Sequence, residues 1–304
     1  VVAAICLSDI IPFALRQFGP LAGLAAPLEV FVSVLPQETF VARVGGDHVR
    51  VRALTRPGQS PETFEPTPQM VTALSRADLF VGTGMPFEKA WIGRLRAANP
   101  NMRVLDAREG IDLLPLDDHG HDHGHDHDHD HDGQDQGRDE YMAGDPHIWT
   151  SPLLVARISA KIRDTLAELD PANAGDYARN QAAFAAELVA LDQEIRTQLK
   201  ELPNRKFLVF HPAWGYFANA YGLTQVTIEK GGKEPGARSL AGLIDEARRD
   251  QIRAVFVQPQ SDPRFAAEVA RAIGGQVIAI DPLASDYVTN LREVARQIAA
   301  ASHP

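Results

Sequence analysis

A chain of 304 residues, 44% hydrophobic and 23% charged, has enough apolar surface for a packed interior and enough length for two lobes of ordinary size. A formal net charge of -10 with no basic stripe argues against nucleic acid as a partner. The single cysteine, Cys6, stands near the start, so the body of the chain offers neither a disulfide nor a thiolate, and an ordered metal site has to be built from His, Asp or Glu.

Residues 1–27 run through apolar segments to small residues around Leu24 to Ala26, which is the pattern of the later part of a secretory signal ahead of its cleavage site. They are expected to be an export segment, with a misassigned start or a frayed helix as the other readings. No run of about eighteen uncharged apolar residues follows, so the rest of the chain is not expected to span a membrane. From Leu28, β-rich runs alternate with helical periods: "LEVFVSVLP", "VRVRALT", "ADLFVGTG" and "MRVLDA" read as strands, "TPQMVTALSRA" and "FEKAWIGRLRAAN" as helices. Thr67 followed by Pro68 is a helix start, an N-cap with proline in the first turn.

The stretch from Asp117 to Asp132, "DDHGHDHGHDHDHDHD", then interrupts the pattern. Its seven histidines, His119, His121, His123, His125, His127, His129 and His131, alternate with aspartate or glycine. No apolar residue is present to bury, so a loop over 117–140 is expected to stay disordered. Imidazole is a common metal ligand and the carboxylates concentrate cations, so the run is expected to bind divalent metal weakly and in several arrangements. An unstructured chain imposes no coordination geometry, and selective binding therefore requires a second, ordered site.

Beyond the run, "SPLLVARISAKIRDTLAELDP" is a long amphipathic helix bounded by Ser151, Pro152 and Pro171, and "GDYARNQAAFAAELVALDQEIRTQLKEL" is a second. Strands and helices resume with "RKFLVFHP", "LTQVTIE", "LAGLIDEARRDQ", "IRAVFVQPQ", "PRFAAEVARAIG" and "QVIAIDPL". The expectation is an α/β fold with two parallel-sheet lobes bridged by helix. The first lobe is expected over 28–150, a linker helix over 151–171 and the second lobe over 172–304.

Open parallel sheets hold ligands at the carboxyl ends of their strands. Three polar residues stand at or near such ends, each beside a proline that stiffens the loop: His147 in "GDPHIW", His211 in "FLVFHPAWGYF" and Asp281 in "VIAIDPLASDY". Taken singly, each residue type at such a position is more often a turn or a hydrogen-bonded structural group than a ligand. Jointly, beside a metal-attracting run, they point to a metal site. Trp149 and Trp214, two and three residues after the histidines, are read as packing at the rim of the cleft.

In order and spacing, "RPGQSPETFEPTP", "ADLFVGTG", "GDPHIWTSP", "HPAWGYFANAYGL", "VFVQPQ" and "AIDPL" resemble the metal-binding class of substrate-binding proteins that serve ABC importers for zinc and manganese. The resemblance extends from about Leu28 to the C-terminus and implies two α/β lobes joined by a long rigid helix, with metal in the cleft between them. It maps the family's histidine ligands onto His147 and His211, its final aspartate onto Asp281, and the histidine-rich loop of zinc-type members onto 117–132. At the first motif this chain departs: where members generally carry histidine after the proline of "PxTFEP", it has Glu62. The implied ligand set is then Glu62, His147, His211 and Asp281, two nitrogens and two carboxylates. Glu65, close by, is read as a structural residue at the helix start.

The function so implied is extracytoplasmic or periplasmic capture of Zn(II) by a monomer, and its delivery to an ABC permease. The oxygen-rich set keeps Mn(II) or Fe(II) open as the ion, whereas the histidine run favours zinc. A metal buffer without a permease would look the same in sequence. No G-x-x-x-x-G-K-[ST] is present, so the chain is not itself the ATPase. A metal-dependent hydrolase with Glu62 as base is the enzymatic alternative, but no H-E-x-x-H supports it and a non-enzymatic role is expected.

Overall fold

The computed structural model describes residues 26–115, 144–229 and 232–303; the histidine run, and all but the last two residues of the segment expected to direct export, lie outside the described residues. The first lobe is a parallel sheet of β1 (Leu28–Val32), β2 (Val49–Ala53), β3 (Leu79–Gly82) and β4 (Arg103–Asp106) in the order β2-β1-β3-β4. The apolar runs of β1 and β3, buried along most of their length, read as central strands, while the alternating "VRVRA" of β2 fits an edge with one face in water.

Its connections are α1 (Leu35–Gly45), α2 (Pro68–Leu74) and α3 (Pro86–Ala98). Helix α1 departs from expectation, because "LEVFVSVLP" read as one strand. The apolar run continues past β1 without a break, and only Pro36, in the first turn of α1, marks the change of period. Thr67 caps α2 as expected, its side chain accepting the Met70 N–H. Glu65 is exposed one turn away.

Two helices follow. Helix α4 (Pro152–Leu169) packs on α1 and on α5 (Ala174–Gln198). The segment 151–171 expected to link the lobes holds α4, and α5 packs on elements of both lobes. It buries Tyr177, Phe184, Leu188, Leu191 and Ile195, a stripe at intervals of seven, four, three and four residues. The second lobe repeats the first: β5 (Lys206–Val209), β6 (Thr224–Thr227), β7 (Ala254–Val257) and β8 (Gln276–Ala279), all parallel, in the order β6-β5-β7-β8. Helices α6 (Gly215–Tyr221), α7 (Ala237–Arg249), α8 (Pro263–Ala272) and α9 (Tyr287–Ser302) complete it. Helix α5 lies against α1 on one side and α9 on the other.

The main apolar core therefore crosses the lobes. It runs continuously from Val30 in β1 through Phe184 and Leu191 in α5 to Leu291 and Ile298 in α9, and a smaller cluster lies between the second sheet and α7 and α8. Among the described residues, no helix is long and apolar enough to cross a membrane.

Candidate metal site

The switch of strand order in each sheet opens a crevice at the strand ends, and the loops that leave those ends carry the polar residues. Glu62 stands in the loop after β2, His147 immediately before the single 3-10 turn Ile148–Thr150 that leads to α4, and His211 two residues after β5. Ligand atoms of Glu62, His147 and His211 lie within 4.8 Å of one another. Oε1 of Glu62 is the common point, 3.2 Å from Nε2 of His211 and 3.6 Å from Nε2 of His147. The two imidazole rings are 5.4 Å apart, edge to face.

Local structure holds each group. The His147 loop is pinned to the first sheet by the Thr83 hydroxyl, which donates to the Pro146 carbonyl at 3.0 Å; Thr83 is itself fixed by Glu88, whose carboxylate accepts the N–H groups of residues 83 to 85 at the start of α3. Asp145, buried, takes the ring Nδ1–H of His147 at 2.6 Å and its backbone N–H at 2.9 Å on one oxygen. Glu229 takes the Nδ1–H of His211 at 2.9 Å, and is brought there by its own N–H bond to the Phe210 carbonyl, which extends the β5–β6 ladder. A carboxylate on Nδ1 fixes the ring and leaves Nε2 for a ligand. Nε2 of His211 is buried and, although 3.2 Å from Glu62, makes no hydrogen bond among the described residues. Such an orphaned ring nitrogen beside a carboxylate fits a bound cation.

The charges are coupled accordingly. Burial opposes protonation of His147, yet the facing carboxylates of Asp145 and Glu62 outweigh it and raise its pKa to about 9. Burial acts the same way on His211, and the hydrogen bond to Glu229, with the facing Glu62 carboxylate, raises its pKa as well. Burial alone would raise the Glu62 carboxyl, but the two facing histidines hold it far below its usual range. Without metal the Glu62 anion favours the protonated form of both facing rings; a divalent cation competes with those protons.

Asp281, two residues past β8, stands outside this three-residue group. Its Oδ1 accepts the Leu283 N–H at 2.9 Å and the Gln260 side-chain amide at 3.1 Å. The Asp281 loop is nonetheless bound to the His147 loop: the Trp149 indole N–H donates to the Pro282 carbonyl at 2.7 Å, and the Tyr287 hydroxyl to the Trp149 carbonyl at 2.8 Å. Trp149 and Trp214 are buried, as their packing role implies. Asp145 and Glu229 escaped sequence reasoning. Asp145 lies inside the "GDPHIW" motif, and its position two residues before the histidine, with the proline between, was the available signal; Glu229 is 18 residues from its partner and had none.

The family profile described as "ZnuA: Zinc-uptake complex component A periplasmic" matches residues 30–301. The high-affinity zinc uptake system protein ZnuA of Bacillus subtilis is 31% identical over 264 residues, 84% of this chain and 78% of that protein. The zinc-binding lipoprotein AdcA of Streptococcus pneumoniae is 28% identical over 267 residues, 85% of this chain, which spans about half (50%) of that relative's length. Among solved structures, a 138-173 deletion mutant of ZnuA with zinc bound matches with 41% identity and a TM-score of 0.81, covering 91% of this chain and 99% of that one.

Proposed function

The chain belongs to the family of the periplasmic zinc-uptake complex component A, and from that premise we propose that it captures Zn(II) outside the cytoplasm and, as a monomer, hands it to the membrane permease of an ABC importer. Residues 28–150 and 172–304 are in this reading the lobes that share the ion, with 151–171 between them in sequence. The observation that carries it is the convergence of Glu62, His147 and His211 within 4.8 Å while the remaining ring nitrogens are engaged by Asp145 and Glu229. Oδ2 of Asp281 supplies the fourth donor. The binding of its loop to the His147 loop through Trp149 and Tyr287 supports that assignment.

Two imidazole nitrogens and two carboxylate oxygens make a tetrahedral set within zinc's ordinary range, and zinc outcompetes manganese at nearly any mixed nitrogen and oxygen site. Four protein donors leave no position for a reacting water, so the site binds and releases and does not catalyse. Glu62 does not act as a base in this reading; it is the ligand that stands where relatives generally carry histidine.

Calorimetric titration with zinc tests the set. The parent is expected to show one tight equivalent, and Glu62→Ala, His147→Ala, His211→Ala and Asp281→Ala each to weaken it by more than the ~10–100-fold that loss of an outer hydrogen-bonding partner brings. A variant that binds like the parent removes its residue from the set, and a parent without a tight equivalent ends the reading.

A further inference from the structure

We propose that Ser60 and Gln260 are positioning residues that set metal specificity, each engaging one oxygen of a ligand carboxylate so that Glu62 and Asp281 offer the ion a single oxygen apiece. The inference rests on the four-ligand set proposed above. Oδ1 of Asp281 has its two acceptor positions filled, by the Leu283 N–H at 2.9 Å and by the Gln260 amide at 3.1 Å, which leaves Oδ2 for metal. At Glu62 the Ser60 hydroxyl donates to Oε2, and Oε1 is the oxygen turned towards both Nε2 atoms.

Gln260 is held for this contact. It lies three residues past β7, and the neighbouring strand β8 brings Asp281 alongside it, because Ile280 N–H continues the ladder to the Val257 carbonyl. Turned over, the Gln260 amide would set an acceptor against an acceptor, so its nitrogen faces Asp281. Its Oε1 is buried without a hydrogen-bond partner among the described residues, which leaves the donation to Asp281 as the side chain's polar anchor. Ser60, two residues before Glu62, makes the equivalent contact from within the same loop.

Donor count is where zinc and its competitors part. Two nitrogens and two single oxygens give the four-coordinate shell that zinc takes readily, whereas manganese favours more oxygen donors, which a carboxylate bound through both oxygens supplies. Releasing the second oxygens of Glu62 and Asp281 admits a five- or six-donor shell without adding a residue. Two neutral side chains that never touch the ion then add to the preference for zinc that the donor atoms already give.

The test uses the full chain with zinc, manganese and cobalt(II), the last because its visible absorption is strong in four-coordinate and weak in six-coordinate sites. Ser60→Ala, Gln260→Ala and Gln260→Glu are compared with the parent, with Ser60→Thr as the conservative control that keeps the hydroxyl. We expect the ratio of zinc to manganese affinity to fall by about ten-fold or more in the first three, cobalt absorption to weaken, and Ser60→Thr to match the parent. Parent-like ratios and spectra in the first three, with Asp281→Ala and Glu62→Ala impaired, overturn this inference alone. Asp281→Ala behaving as the parent overturns the four-ligand set and this inference with it.

Discussion

At the residue scale, each proposed histidine ligand presents Nε2 because a carboxylate holds Nδ1, and that dependence is measurable. Asp145→Asn keeps the shape of the side chain but weakens acceptance from the His147 ring and lowers the basicity of Nε2. It is expected to reduce zinc affinity by about ten- to a hundred-fold, as seen by calorimetry, with the zinc-free fold retained. Protonation supplies a second prediction. Since His147 titrates at about 9 in the zinc-free protein, against an ordinary 6.5, it is protonated at neutral pH and zinc must expel that proton. Apparent zinc affinity should rise with pH up to about 9, and calorimetry in buffers of different ionisation heat should detect proton release at pH 7.5. Binding with no net proton release there would refute the charge arrangement. The same raised value stabilises the zinc-free protein fully below pH 6.5, and that contribution is lost as pH rises through about 9.

Elements bring these residues together through close approaches that local sequence only hints at. Helix α6 opens at Gly215, where an added Cβ would stand 2.9 Å from Oδ2 of Asp145, the carboxylate that holds His147. Gly215→Ala should therefore displace Asp145 and weaken zinc binding in the same direction as Asp145→Asn. Unchanged affinity in a titration of Gly215→Ala would mean that Asp145 has room to relax. Trp149 makes the corresponding link at the other loop, and its indole N–H bond to Pro282 is buried. Trp149→Phe leaves the Pro282 carbonyl unpaired and is expected to cost about 1–3 kcal/mol in chemical denaturation.

For the whole molecule, the continuous core from β1 through α5 to α9 means that the lobes share their interior. The Thr39 hydroxyl donates to the Ser285 carbonyl, and the rings of Phe40 and Tyr287 pack edge to face at 4.9 Å across the same junction. Closure of one lobe on the other as a hinged body would have to break this packing. Scattering profiles with and without zinc are expected to superimpose closely, and a marked contraction on binding would show that the junction yields. The histidine run, outside the described residues, belongs to this scale too, because its expected role is weak binding apart from the ordered site. Deleting 117–132 should leave the tight zinc equivalent and remove only weak additional ones; loss of the tight one would place a primary ligand in the run.

Periodicity and punctuation in the sequence determined the two parallel sheets, the long helices α4 and α5, and the placing of His211 and Asp281 two residues past strand ends, because strand and helix patterns are set by neighbours a few residues apart; His147, expected at such an end, instead stands before the 3-10 turn that leads to α4. The same locality hid α1, whose apolar residues continue those of β1, and α9, where no proline marks the start. Resemblance supplied the role of Glu62, which no local pattern assigns. Only the tertiary structure decided that Glu62 Oε1 sits between two imidazoles, that Asp145 and Glu229 hold their far nitrogens, and that α5 joins both halves of one core. These depend on parallel ladders that bring distant strand ends side by side, as β5 and β6 do for His211 and Glu229, and such pairings leave no periodic trace in the chain.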